Sequence, residues 1–176
     1  MGGNTIGAVG GIKIPPVDSY IAGYKYCAAK AVPGTKTIVQ YSNDFGAADK
    51  CQTVAQNEIA QGAKIIFQIA GGCGLGALKA ADAAKLYGIG VDSDEYNDAK
   101  RILTSATKHT DTGVYDTIIA AAAGKFAGGS DLLFNLKNNG VGVGRINPAV
   151  PKACITLMNG YKKKIIAGTL KVPSKL

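Results

Sequence analysis

Apolar positions in this chain follow two periods, and the two alternate from one end to the other. Over 15–31, Val17, Tyr20, Ile21, Tyr24, Cys27, Ala28 and Ala31 recur at i, i+3, i+4 and i+7, the spacing of one helical face. Pro15 and Pro16 stand at the start of that stretch, where a helix tolerates proline. Short β-type runs fall at 5–10, 37–41, 64–70, 87–91 and 102–106. The third of these, KIIFQIA, is almost wholly apolar, as a strand covered on both faces must be. Further helices are predicted over 47–61, ended by Gly62, from the glycine-rich turn 71–76 to about residue 86, and over 112–123, ended by Gly124. Strands and helices alternating in this way predict an α/β fold with a doubly wound, mainly parallel sheet.

Beyond residue 128 the pattern changes. Runs at 131–136 and 141–145 flank Lys137-Asn138-Asn139-Gly140, and its Asn-Gly step predicts a hairpin. Pro148 and Pro151 then introduce a last helix that ends near Ala167. The expected organisation is an α/β ligand-binding lobe over 1–128, with a C-terminal hairpin and helix over 129–176 packed on the same domain.

Composition narrows the class. The chain has 176 residues, of which 47% are hydrophobic and 18% charged, enough to bury a core and too apolar for a disordered chain. Charges interrupt every apolar run before the roughly 18–20 residues a membrane span needs. The opening MGGNTIGAVGG has neither a basic stretch nor a long apolar one, so no secretory signal is expected from it. The net charge of +8 is concentrated in six lysines from Lys152 onward, with no acid among them. No aromatic residues interleave with these lysines at base-stacking spacing, so a helix end complementing its dipole is a better reading than nucleic-acid binding. Of the four cysteines, Cys27, Cys51 and Cys154 read as small core residues, while Cys73, in the glycine-rich turn, is the one expected to be exposed. No C-x-x-C pair occurs and His109 is the sole histidine, which leaves a zinc site without ligands.

Ligands of open parallel sheets bind outside the carboxyl ends of the strands. In strand order those ends carry Gly10 and Gly11; Ser42, Asn43, Asp44 and Phe45; Gly71 to Gly74; Asp92, Ser93 and Asp94; and Thr107, Lys108 and His109. Glycines, a ring, carboxylates and a lysine on one edge suit a polar molecule with a flat apolar part. The run Gly72-Cys73-Gly74-Leu75-Gly76-Ala77 also fits the dinucleotide pattern G-x-G-x-x-A, and Asp92 lies 20 residues past Gly72. A Rossmann-type nucleotide-binding enzyme is therefore the alternative, although the run follows the third strand and the fingerprint normally follows the first. No nucleophile elbow or phosphate loop is present. His109 reads as a surface histidine before a general base. Asp94, Glu95 and Asp98 read as a solvated turn, since Asp92 and Asp94 give too few oxygens for calcium.

The strings IGAVGG (6–11), FQIAGGCGLGALKAA (67–81), IGVDSDEY (89–96), ILTSATKHTDTGVYDTI (102–118), NLKNNGVGVG (135–144) and KKKIIAGTLKVP (162–173) resemble the basic membrane protein family. Its members are substrate-binding lipoproteins of bacterial ABC importers, and the characterised ones are similar to purine nucleoside receptors. The resemblance implies a single lobe of a type I periplasmic-binding fold, an extracytoplasmic location, no catalysis and no cofactor. Family members have two such lobes; this chain resembles the second, with no counterpart of the first lobe, the signal peptide or the lipid-bearing cysteine. Carried over by position, Phe45 would stack on a base, the amides of Gly71 and Gly72 would approach the sugar, Asp92 would accept from ribose hydroxyls and Lys108 would donate to polar groups. The implied partners are a nucleoside-like small molecule and, in full-length relatives, an ABC permease. A half-site open to water would bind weakly, in the region of ~1 mM, unless a second copy in a homodimer supplied the opposing wall. A third reading is an interaction module that has lost its ligand.

Overall fold

In a computed structural model of the chain, residues 4–176 are described; Met1, Gly2 and Gly3 of the opening stretch lie outside them. Six strands form one sheet in the order β2-β1-β3-β4-β5-β6. They span Thr5–Gly10 (β1), Lys36–Tyr41 (β2), Ile65–Ile69 (β3), Tyr87–Asp92 (β4), Ile102–Lys108 (β5) and Val141–Val143 (β6). The first five pair in parallel and β6 runs antiparallel to β5. The helices are Pro15–Ala31 (α1), Ala48–Ala60 (α2), Gly74–Ala83 (α3), Thr110–Ala122 (α4) and Lys152–Ile166 (α5), with a 3-10 turn over Gly71–Cys73 before α3.

Side-chain alternation along the strands sorts the core into two layers. Ala8, Phe67, Ile69 and Val91 meet Val17 and Ile21 of α1 on one face, with the Tyr24 ring edge-on to Phe67 at 5.0 Å. Val9, Ile38 and Ile66 meet Cys51 and Ala55 of α2 and Ala77 and Ala81 of α3 on the other. Helices on both faces confirm the doubly wound expectation. The strand order places β1 between β2 and β3, so the chain reverses direction across the sheet at the β1/β3 boundary, where ligands of such sheets bind.

Two expectations fail. Residues 131–136 form no strand, and the predicted hairpin does not exist. The Asn135 and Asn138 side chains capture local backbone groups instead: Asn135 N–H and Lys137 N–H donate to Asn138 Oδ1 and Asn135 Oδ1 at 2.7 and 2.8 Å, and Asn138 Nδ2 donates to the Leu133 carbonyl at 2.7 Å. Such bonds compete directly with a ladder. Residues 141–143 cover the open edge of β5 instead, pairing Val141 with Lys108 and Val143 with Ala106. The cysteine assignment fails at Cys73 and Cys154 and holds for the burial of Cys51. Cys73 and Cys51 are fully buried and form a disulfide, whereas Cys154 is exposed because α5 buries none of its residues.

A buried acid went unnoticed in the sequence. Glu58, on α2, is wholly buried and neither carboxyl oxygen has a hydrogen-bond partner among the described residues. It lies against Gly7 in mid-strand, where any Cβ would collide with Oε2. Burial pushes its pKa up to about 8; the backbone amides of Gln40 and Ala8 lie near enough to oppose that shift without meeting the carboxyl in a well-formed hydrogen bond.

Candidate ligand-binding site

The carboxyl ends of the strands carry two groups of predicted residues. The first lies at the β1/β3 boundary. Gly11 N–H donates to the Ile69 carbonyl at 2.9 Å, joining the ends of the two strands. The Phe45 ring lies on Gly11 so closely that a Cβ there would overlap it. Phe45 remains 39% exposed. Its carbonyl accepts the Cys73 N–H at 2.9 Å and lies beside Gly71 and Gly72, where an added Cβ would meet it in ordinary contact at 3.4 and 3.6 Å. Gly71 has a φ of +55°, a left-handed conformation suited to glycine. The N–H groups of Gly71 and Gly72 donate to no partner among the described residues, the usual condition at the start of a helical segment.

Asp44 shapes the approach to this group. Its Oδ1 accepts from Gly46 and Ala47 N–H at 2.8 and 2.9 Å, and its Oδ2 pairs with Lys50 Nζ at 2.8 Å. Hydrogen bonds from Lys50 and those two amides hold its carboxyl far below the ordinary carboxylate range. The Phe45 loop therefore starts α2 on a fixed charge, which complements the positive end of the helix.

The second group lies at the ends of β4 and β5. Lys108 Nζ and Asp92 Oδ1 are 2.6 Å apart, both half exposed. Asp92 has a φ of +67°, a left-handed turn that aspartate tolerates better than most residues. Lys108 Nζ also lies 5.0 Å from the centroid of the Tyr20 ring, within cation–π range. Burial, with the Asp92 charge as a lesser cause, raises the Tyr20 pKa. A cleft of about 580 Å³ opens beside this pair, between Tyr20, His109, Phe134 and the Val114 and Ile118 side of α4. His109 half-faces it, with Nε2 3.2 Å from Thr107 Oγ1.

Beneath the edge runs a polar scaffold that sequence reading misassigned. Glu95, expected in a solvated turn, is buried. Its Oε2 accepts from Gln68 Nε2 at 2.7 Å and from Val91 N–H at 3.2 Å, and its own N–H donates to Ser105 Oγ at 3.0 Å. Gln68 Oε1 in turn accepts the Ala70 N–H at 3.0 Å, just ahead of the glycine turn. The missed signals are the lone polar Gln68 inside an apolar strand and Gly90, whose missing Cβ makes room for Glu95 and Ser105. Asp94 is on the surface and pairs with Arg145 Nε at 2.6 Å, which lowers its pKa.

Adjacent strands lie about 4.8 Å apart, so the β1 and β5 ends, three spacings apart, are separated by ~14 Å. The edge thus offers a ring and free amides at one end and a carboxylate–ammonium pair at the other, on buried supports.

The profile of the Bmp family, described as "ABC transporter substrate-binding protein PnrA-like", matches residues 3–175. The chain belongs to this family. It is 34% identical to the "CD4+ T-cell-stimulating antigen" of Listeria monocytogenes, over 98% of this chain and 53% of that protein. It is 33% identical to the "ABC transporter nucleoside-binding protein BmpA" of Lactococcus lactis subsp. cremoris, over 98% of this chain and 54% of that one. The chain thus spans about half the length of these relatives. Among solved structures, an ABC transporter solute-binding protein from Aeropyrum pernix K1 superposes with a TM-score of 0.82 at 24% identity, over 97% of this chain and 57% of that one. That likeness shows the fold: one half of a solute-binding protein. Family membership over nearly the whole chain removes the reason for a dinucleotide-enzyme reading. The glycine run and Asp92 both lie within the matched residues, and the turn follows β3 rather than β1.

Proposed function

We propose that this chain is the nucleoside-contacting half of an ABC importer's substrate-binding protein, working by reversible binding without covalent chemistry. The observation that carries this reading is the pairing of Asp92 with Lys108 on the same strand edge as the exposed Phe45 ring and the free Gly71 and Gly72 amides. A ribose diol can accept from the Lys108 ammonium and donate to the Asp92 carboxylate, each a charge-assisted bond of about 1.5–3 kcal/mol. A purine or similar ring stacks on Phe45, worth about 0.5–1.5 kcal/mol. The name of the Lactococcus relative supports a nucleoside as the ligand class. The test is a thermal-shift titration with inosine, adenosine, ribose and adenine. Stabilisation by the nucleosides, and by neither fragment alone, is the expected outcome; stabilisation by none at several millimolar rejects it.

An extracytoplasmic location accords with the family and with relatives that are named lipoproteins. The buried Cys51–Cys73 disulfide supports it, because such bonds persist in oxidising compartments. None of the described helices is long and apolar enough to cross a membrane. The permease of such an importer is then the protein partner. The other wall of the nucleoside site would come from a second α/β unit, and for this chain alone we propose a second copy. That reading draws support from Val114, Tyr115, Ile118 and Ile119 of α4, all more than half exposed, on a helix that buries no residue.

A further inference from the structure

The turn that carries the free amides is Gly71-Gly72-Cys73-Gly74, three glycines around one side chain. Glycine loses more conformational freedom on ordering than any other residue, so nothing intrinsic to this stretch would hold two amides in one direction. Cys73 is the anchor. Its sulfur is bonded to Cys51 in the first turn of α2, and both residues are fully buried among Val9, Ile38, Ala55 and Ala77. Its N–H donates to the Phe45 carbonyl at 2.9 Å. Phe45 precedes α2 by three residues, so the disulfide and this hydrogen bond close a small ring through the Phe45 loop, the start of α2 and the glycine turn. Gly76 presses α3 onto the Ala48 carbonyl of α2 at the same place. We propose that the Cys51–Cys73 disulfide is a positioning element of the binding site: it fixes the Gly71 and Gly72 amides relative to the Phe45 ring before ligand arrives, so that binding does not have to order them. The proposal rests on the nucleoside half-site reading for its ligand, but not for its effect on the turn.

Three measurements test it. Thiol titration of denatured, unreduced protein should find two free thiols, Cys27 and Cys154; four would overturn the proposal at once. Amide hydrogen exchange comes next, comparing the parent with C51A/C73A well below the melting temperature of either. In the variant the amides of residues 73 and 74, which donate to the Phe45 carbonyl and to carbonyls of the turn, should lose at least about tenfold in protection while β5 amides keep theirs; unchanged protection at these two positions overturns the proposal. Inosine affinity should fall about tenfold in the variant, and an affinity within twofold of the parent also overturns it. Should the double variant not fold, C51A alone leaves the Cys73 side chain filling the core and carries the same comparison. If the parent itself binds no inosine, the half-site reading fails, and the exchange experiment still decides whether the disulfide orders the turn.

Discussion

Asp92 and Lys108 were identifiable from their place after two predicted strands, and the fold brings them to 2.6 Å. D92N keeps the shape and the left-handed backbone that asparagine also tolerates, but removes the charge. It should weaken nucleoside binding about 10- to 100-fold, the loss of one charge-assisted bond, with little change in melting temperature; calorimetry against the parent checks both. Glu58 was not legible, because a carboxylate on a helix reads as a solvated face until its neighbours are known. Its proton is held to about pH 8 in the folded chain against an ordinary value of 4.5. Below pH 4.5 both states carry the proton and the group contributes no pH dependence. Between roughly pH 5 and pH 8 only the folded state keeps it, so stability falls as pH rises, by up to about 1.4 kcal/mol per unit, and levels off above. Urea denaturation of E58Q should therefore show an advantage over the parent that grows from pH 4 to pH 8. A constant difference would mean that Glu58 is ionised in the fold.

At the scale of elements, hydrophobic periodicity located all five parallel strands and all five helices within a few residues, α1 at its observed bounds. The signal is strong there because β1 and β3 are buried on both faces and each of the first three helices buries part of its surface. It failed at 131–136, where the Asn135 and Asn138 side chains decide the local structure and no periodic burial constrains it. Close packing between elements was equally hidden, since a glycine in a helix looks like a weakness unless its neighbour is seen. G76A should part α3 from α2, because its Cβ would overlap the Ala48 carbonyl; a loss of about 1–3 kcal/mol is expected. G160A, in α5 with nothing within 4 Å, should instead gain roughly 0.5–1 kcal/mol through helix propensity. Chemical denaturation of the two variants side by side distinguishes packing from propensity.

Taken whole, the molecule has the fold of one half of a solute-binding protein, with the candidate site on one rim and an apolar helix, α4, left uncovered. The family was readable from strings spread along the chain, whereas the disulfide and the buried Glu95 scaffold needed three dimensions, since neither has a short sequence pattern. Sedimentation equilibrium should show reversible dimers that I118D/I119D disperses; a strict monomer at high concentration removes the second-copy reading and leaves the half-site. Most directly, the central claim is tested by calorimetric titration of inosine into the parent, D92N and F45A. The parent should show saturable, one-to-one binding, weak because one wall is open to water, with affinity reduced about 10- to 100-fold in D92N and about 2- to 10-fold in F45A. Absence of binding at several millimolar, or binding that D92N and F45A leave unchanged, would contradict that claim.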